Sequence, residues 1–237
     1  FGWGGGKPSH PELLDWLATE YMAQAWQAKP IHRLIMLSST YRQAATFQPQ
    51  AAARDAQGRW AWRFTPRRLD AEAIRDSLLC ASGVLDTRMG GPGYDVFEPN
   101  TNYVKLYTPK QTFNASDWRR MVYQEKPRSR SDATFGEFDC PDASQSVSRR
   151  NMSTTALQAL NLLNSPFILA QATLMAQRVE REAGCHADAQ VERAFWICFG
   201  RQPDADERRT ARQLTDEHGL PALCRALFNA NEFLTLD

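Results

Sequence analysis

Apolar positions recur at helical spacing at both ends of the chain and lose that period in the middle. Leu13, Leu14, Leu17, Ala18 and Tyr21 sit on one face of a helix that runs to about Gln27 and stops before Pro30. Ser9 and Glu12 have the spacing of a capping box, so Ser9 is the expected N-cap. Ile31, Leu34, Ile35 and Ser38 mark a second helix from Pro30 to about Arg42, and the two segments read as an αα-hairpin. Residues 44–60 are polar and alanine-rich and read as a loop, with Trp60, Trp62 and Phe64 alternating as in a short extended piece. A third helix buries Ala73, Ile74, Ser77, Leu78 and Ala81 and carries Arg67, Arg68, Asp70, Glu72, Arg75 and Asp76 on its polar side. Gly83 supplies a left-handed stop.

From Val84 to Arg150 no helical period is sustained. Tyr103–Thr108 alternates as a short strand, and Trp118–Tyr123 and Phe135–Phe138 are shorter candidates. So long a stretch without helices is functional or disordered in most compact domains. Its many aromatic residues argue against disorder. An ordered irregular insert with small β elements is the expectation. Helices return at Ser153, where Ser153, Thr154 or Thr155 can cap a helix bearing Leu157, Leu160 and Leu163. Pro166 opens the next and Gly184 ends it. Val191, Ala194, Phe195, Cys198 and Phe199 make another, ending at Gly200. Asp204 and Glu207 form a capping box for a helix ending near Gly219, and Pro221 begins the last. The fold class is therefore mainly α, a multi-helix domain with a long irregular insert. The expected organisation is one domain over 1–237, made of N-terminal helices (1–83), insert (84–150) and C-terminal helices (151–237).

Composition changes this picture little. Apolar residues make up 43% of 237 positions and charged residues 23%, both ordinary for a globular chain. A net charge of +1 gives no global attraction to nucleic acid, so no nucleic-acid partner is expected. No apolar run approaches the ~20 residues of a membrane span. The start at Phe1, in a glycine-rich phrase, reads as a piece of a longer protein with its N-terminal edge cut. The five cysteines (80, 140, 185, 198 and 224) contain no C-x-x-C pair, which excludes zinc ribbons and covalent haem attachment within this chain. Cys80, Cys198 and Cys224 read as small hydrophobes, whereas Cys140 stands in a polar loop. Four histidines show no metal-ligand spacing, so no metal site is expected.

Four constellations bear chemistry. His32 and Arg33 adjoin the apolar stripe of the second helix and could contact a ligand together. Arg67 and Arg68, with Glu72 a turn later, either form i,i+4 ion pairs or present an arginine fork to a carboxylate, sulfate or phosphate. Glu137, Asp139 and Asp142, followed by Arg149 and Arg150, read first as a turn closed by arginine pairing. Binding of Ca²⁺ or another ligand, though the spacing matches no EF-hand, and acid–base work on glycans by a hydrolase are the alternatives. Gln158, Asn161 and Asn164 suit a polar network tying the insert to its helix. No nucleophile elbow, P-loop or dinucleotide fingerprint occurs, and no catalytic residue is assigned.

Several phrases taken in order carry a resemblance. They include Pro8–Ala18, His32–Ile35 leading to Ser39–Gln43, Arg67–Asp76, Met89–Pro92, Phe138–Asp142, Thr154–Leu160, Leu163–Phe167, Phe199–Pro203 and Asn229–Phe233. The chain resembles the planctomycete C-terminal domain of unknown function, number fifteen fifty-three. The resemblance implies a large exported bacterial protein with a further helix before Phe1 and, upstream, a domain holding haem c, with no cofactor in this chain. It implies an accessory or ligand-binding module, periplasmic or extracellular, possessing upstream domains of the same polypeptide as partners and tied to extracytoplasmic electron transfer. The polar constellations above suit a small anionic or glycan ligand for such a module, and a purely structural interaction domain is a further alternative. Cys140 departs from the small residue expected there.

Overall fold

The computed structural model describes residues 4–104, 106–128, 130–141, 144, 147 and 150–236. The described residues form ten α-helices and two two-residue strands, so the fold is mainly α. No single helix among them is long and apolar enough to cross a membrane. Packing divides the chain into two units, Phe1–Arg67 with Leu236–Asp237 and Arg68–Thr235.

The first unit holds α1 (Pro11–Ala23), α2 (Ala28–Leu37) and α3 (Pro49–Arg54). The expected αα-hairpin is present, with different ends. His10 rather than Ser9 is the N-cap of α1, and its side chain makes no capping bond. The Ser9 hydroxyl is taken up by His10 Nδ1 at 3.0 Å. Helix α1 ends at Ala23, short of Gln27, because Ala25 and Trp26 take positive φ angles of 51° and 61° in the connecting turn. Helix α2 starts two residues before Pro30, which then falls in its first turn, where no amide is needed. It ends at Leu37 rather than Arg42. The expected loop over 44–60 contains α3, and Trp60, Trp62 and Phe64 form no strand. Asp55 organises that region instead. Its carboxylate accepts from the amides of Arg59 and Trp60, at 3.0 and 2.8 Å, and its carbonyl accepts from Trp62 Nε1 at 2.8 Å.

The second unit is built on α6 (Pro166–Ala183), which packs against α4 (Ala71–Ser82), α5 (Ala156–Asn164), α7 (Ala187–Phe199) and α9 (Leu220–Phe228). Helix α8 (Ala205–His218) lies on α7 and α9, and the short α10 (Asn231–Leu234) closes the end. The apolar stripe of α6 explains its central place: Phe167, Ile168, Ala172, Met175, Ala176 and Val179 are all buried. Pro166 lacks an amide, so the ladder breaks at Ser165 and α5 meets α6 at 54°. The expected C-terminal stops and caps hold. Gly83 and Gly200 end α4 and α7 in the left-handed region, Thr155 and Gln158 box α5, and Asp204 and Glu207 box α8. Arg178 of α6 donates to the carbonyls of Cys80 and Ala81, both at 2.9 Å, where the α4 dipole favours a cation. Cys80, expected as a buried hydrophobe, is exposed at that helix end, whereas Cys224 is buried.

Between α4 and α5 the described residues of the insert carry almost no sheet. Its described residues form three single-turn 3-10 helices (Ala115–Trp118, Met121–Tyr123, Gly136–Phe138) and three isolated bridges, Asp86 with Arg119, Tyr94 with Gln124, and Phe97 with Pro109. Among the described residues of 103–108 no strand is present; Asn100 Nδ2 instead donates to the Leu106 carbonyl at 2.7 Å. The candidates over 118–123 and 135–138 are 3-10 turns. Side chains supply what a ladder would have supplied. Arg119 donates to the carbonyls of Gly90 (2.6 Å), Arg88 (3.2 Å) and Pro92, with its guanidinium 3.8 Å from the Tyr123 ring centre. Asp76 accepts from the Met121 amide at 2.8 Å, and Asp132 accepts from those of Thr134 and Phe135 at 2.8 Å.

Candidate functional site

The segment Arg67–Asp76 is not a single helix. Arg67–Arg68 form the two-residue strand β1, Asp70 is the N-cap of α4, and the helix proper starts at Ala71. Arg68 therefore does not share a helical face with Glu72, Arg75 and Asp76. It reaches the insert, where Nη2 donates to Asp139 Oδ2 at 2.6 Å and its guanidinium lies 5.3 Å from the Phe138 ring centre. Asp139 sits in the left-handed region (φ 57°) at the end of a 3-10 turn, a conformation that Asp tolerates better than most residues. Both its oxygens also accept from Ser153, through the amide at 2.8 Å and the hydroxyl at 2.9 and 3.1 Å. Burial alone would raise the Asp139 carboxyl, but the Ser153 amide and hydroxyl and then Arg68 outweigh it and hold it below the ordinary range. Gln158, buried as expected of the polar network, donates to the Glu137 carbonyl at 2.9 Å and to Ser153 Oγ at 3.2 Å; Asn164 is exposed.

Beside this clamp lies a second cluster. Arg150 grips Glu72 through two hydrogen bonds of 2.6 and 2.9 Å, and Lys126 Nζ stands 3.6 Å from Glu72. Burial would raise Glu72, yet the Arg150 hydrogen bonds lead a set of influences that lower it. The insert thus brings Arg68, Glu72, Asp139 and Arg150 together over α4, with the charges directed at one another. Asp142 and Arg149 lie outside the described residues. His32 and Arg33 are exposed on α2 in the first unit, and Arg67 is exposed. Glu137 is exposed as well. No group of three or more His, Cys, Asp or Glu among the described residues could hold a metal ion.

A cavity of about 70 Å³, room for roughly five waters, lies between the insert and the start of α6. Sequence reasoning missed it. Its walls are Tyr94, Phe97, Phe113, Phe135 and Phe167, and its polar groups are Arg75, Lys110, Asp117, Asp132, Thr134 and Ser165. Phe167 is the hub, with Phe113 and Phe135 edge-on at 5.3 and 5.4 Å. Arg75 is buried, donates to the carbonyls of Arg119 (2.7 Å) and Asp117 (2.5 Å), and lies 4.8 and 5.2 Å from the ring centres of Tyr94 and Phe167. Desolvation lowers its pKa, though an arginine stays charged at any physiological pH. Lys110 pairs with Asp117 at 2.7 Å, and the Thr134 and Ser165 hydroxyls bond each other at 2.6 Å. Burial pushes the Tyr94 phenol well above its usual pKa against the pull of Arg75, so it stays a neutral hydroxyl. Two cations and two carboxylates thus balance inside aromatic walls. One signal was available: nine aromatic residues in a segment without period must pack somewhere.

The second unit is thus a set of helices with an irregular insert framed by arginines and an aromatic cavity between that insert and α6. The family model described as a protein of unknown function (DUF1553, PSD1) matches residues 1–215, and the chain belongs to that family. No curated protein and no solved structure matches it.

Proposed function

We propose that the second unit is a binding module for a neutral, hydroxyl-bearing ring such as one pyranose unit of a glycan, one edge of which enters the cavity between the insert and α6. The observation that carries this reading is the internal charge balance: Arg75 and Lys110 face Asp117 and Asp132, so an anionic ligand would meet no net attraction. Five aromatic rings offer apolar faces, and Thr134, Ser165 and Gln111 offer hydrogen bonds that a polyhydroxylated ring can share. Binding without turnover is favoured because Asp132 is saturated by amide donors and Asp117 is engaged by Lys110 and the Asn114 amide. An accessory role in an exported multidomain protein with an upstream haem domain belongs to the same proposal, on the strength of the sequence resemblance. Cell fractionation of the full-length protein tests that part.

Saturation-transfer NMR with a panel of methyl pyranosides, and phosphate and acetate as anionic controls, tests the pocket. The expected result is transfer from at least one pyranoside and none from the anions. Ala133 is exposed at the rim. Ala133→Phe should fill the mouth and abolish the signal. Silence from every pyranoside at about 10 mM, where a millimolar Kd (about −4.1 kcal/mol) would register, refutes the reading, as does unaltered binding by Ala133→Phe.

A further inference from the structure

One cluster over α4 is not accounted for by pairing alone. Lys126 Nζ lies 2.8 Å from Cys140 Sγ, a separation ordinary for N–H···O and short for the larger sulfur atom. Glu72 Oε1 is 3.6 Å from the same ammonium and 3.9 Å from the same sulfur, and Arg150 fixes Glu72 from the other side. Amine and thiol are therefore held against each other by an anchored carboxylate. Both line a narrow cleft of about 10 Å³. Neither is sealed: the Lys126 side chain is 30% exposed and Cys140 is half-buried.

We propose that Lys126 and Cys140 are a modification site at which hydrogen peroxide installs a reversible sulfur–nitrogen cross-link. The Cys140 sulfur, as thiolate, attacks one peroxide oxygen; the S–O bond forms, the O–O bond breaks, and hydroxide leaves and takes up a proton to become water. The sulfur is now a sulfenic acid, oxidised by two electrons, and the peroxide is reduced. Lys126 Nζ, uncharged once one proton has passed to solvent, attacks that sulfur. The S–N bond forms, the S–O bond breaks, and the departing hydroxide leaves as water with a proton from the nitrogen. One thiol, one amine and one peroxide thus give one sulfenamide and two waters. An added thiol reverses it by attacking the sulfur and releasing the amine, and a second thiol reduces the resulting disulfide. Contact at 2.8 Å makes capture by Lys126 intramolecular, with the advantage in effective concentration that follows. It therefore precedes further oxidation to the sulfinic acid.

The test uses the chain with the exposed Cys80 and Cys185 replaced by serine. Cys198 and Cys224 can stay, because burial raises both thiols and keeps them inert, Cys224 to about 12. Hydrogen peroxide should remove two hydrogens from the intact mass and join the peptides bearing Lys126 and Cys140, and dithiothreitol should restore both. The rate should rise with pH, since the amine must lose its proton. Lys126→Met and Lys126→Arg, the latter retaining a cation toward Glu72, should both lose the cross-link and accumulate Cys140 sulfinic acid. Sulfinic acid at Cys140 without any cross-link in the parent chain overturns the proposal. So does an undiminished loss of two hydrogens in both lysine variants.

Discussion

Replacing Arg75 with methionine keeps most of the side chain's volume and removes its charge and donors. At 2% exposure its guanidinium supplies hydrogen bonds to the carbonyls of Asp117 and Arg119 and packs on Tyr94 and Phe167. Each buried carbonyl left without a donor costs roughly 1–3 kcal/mol, and each lost ring contact roughly 0.5–2 kcal/mol. Methionine escapes the desolvation that depresses the arginine's own pKa, but it takes a buried cation away from Asp76, Asp117 and Asp132, and removing one member of a buried charge set costs about 3–5 kcal/mol in other proteins. The balance is a loss of about 3–5 kcal/mol, a large part of the ~5–15 kcal/mol that holds a native domain. Urea unfolding followed by circular dichroism should show a lower midpoint at nearly constant slope. Limited proteolysis should find new cuts in 84–138 before any in α6–α9. Arg209, 76% exposed, is the control, and its methionine variant should stay within about 0.5 kcal/mol of the parent. A cost below about 1 kcal/mol for Arg75→Met, or an insert no easier to cut, would refute the claim that this arginine frames the insert.

Two further outcomes are expected. Hydrogen bonds from Arg201 hold Glu207 down to about 2 from an ordinary value of 4.5, so its contribution is complete above about pH 5 and is lost as pH falls toward 2. Urea midpoints at pH 5.5 and 2.5 should converge in part for Glu207→Gln, and less so at high salt because the pair is partly exposed; an identical acid drop in parent and variant would contradict it. Gly93→Ala would place its Cβ 2.6 Å from the Tyr123 carbonyl oxygen, a backbone atom that cannot swing aside, so a loss of roughly 1–3 kcal/mol and a lower Tm should follow. Alanine at Gly4, which has no atom within 4 Å, should leave Tm unchanged.

The helices after residue 150 were legible because their signals are local. The pair Asp204–Glu207 and the stop at Gly200, like the stop at Gly83 before them, act within a turn or two and need no distant partner, and of the three caps offered for α5 it is Thr155 that serves. Ser9 shows the limit even there, since His10 offered its hydroxyl another partner. Arg75 shows the larger limit. Its spacing put it among the charged residues of α4, and only the folded insert reveals that it points inward. The turn at Asp139 was readable, but its partner was not: sequence proximity favoured Arg149 or Arg150, whereas the chain delivers Arg68 from seventy-one positions away. The aromatic cavity was invisible for the same reason, since its walls come from four stretches without a common period.

The insert's reliance on Arg75, Arg119, Asp76 and Asp132 has a consequence for how the sequence can vary. A β-ladder is made of backbone groups that almost any residue supplies, so its tolerance is spread evenly along the strands. Here the information that fixes some fifty residues is concentrated in four polar side chains and a few rings. The exposed residues 101–104 are therefore free to diverge, while a single change at Arg119 would release three carbonyls at once.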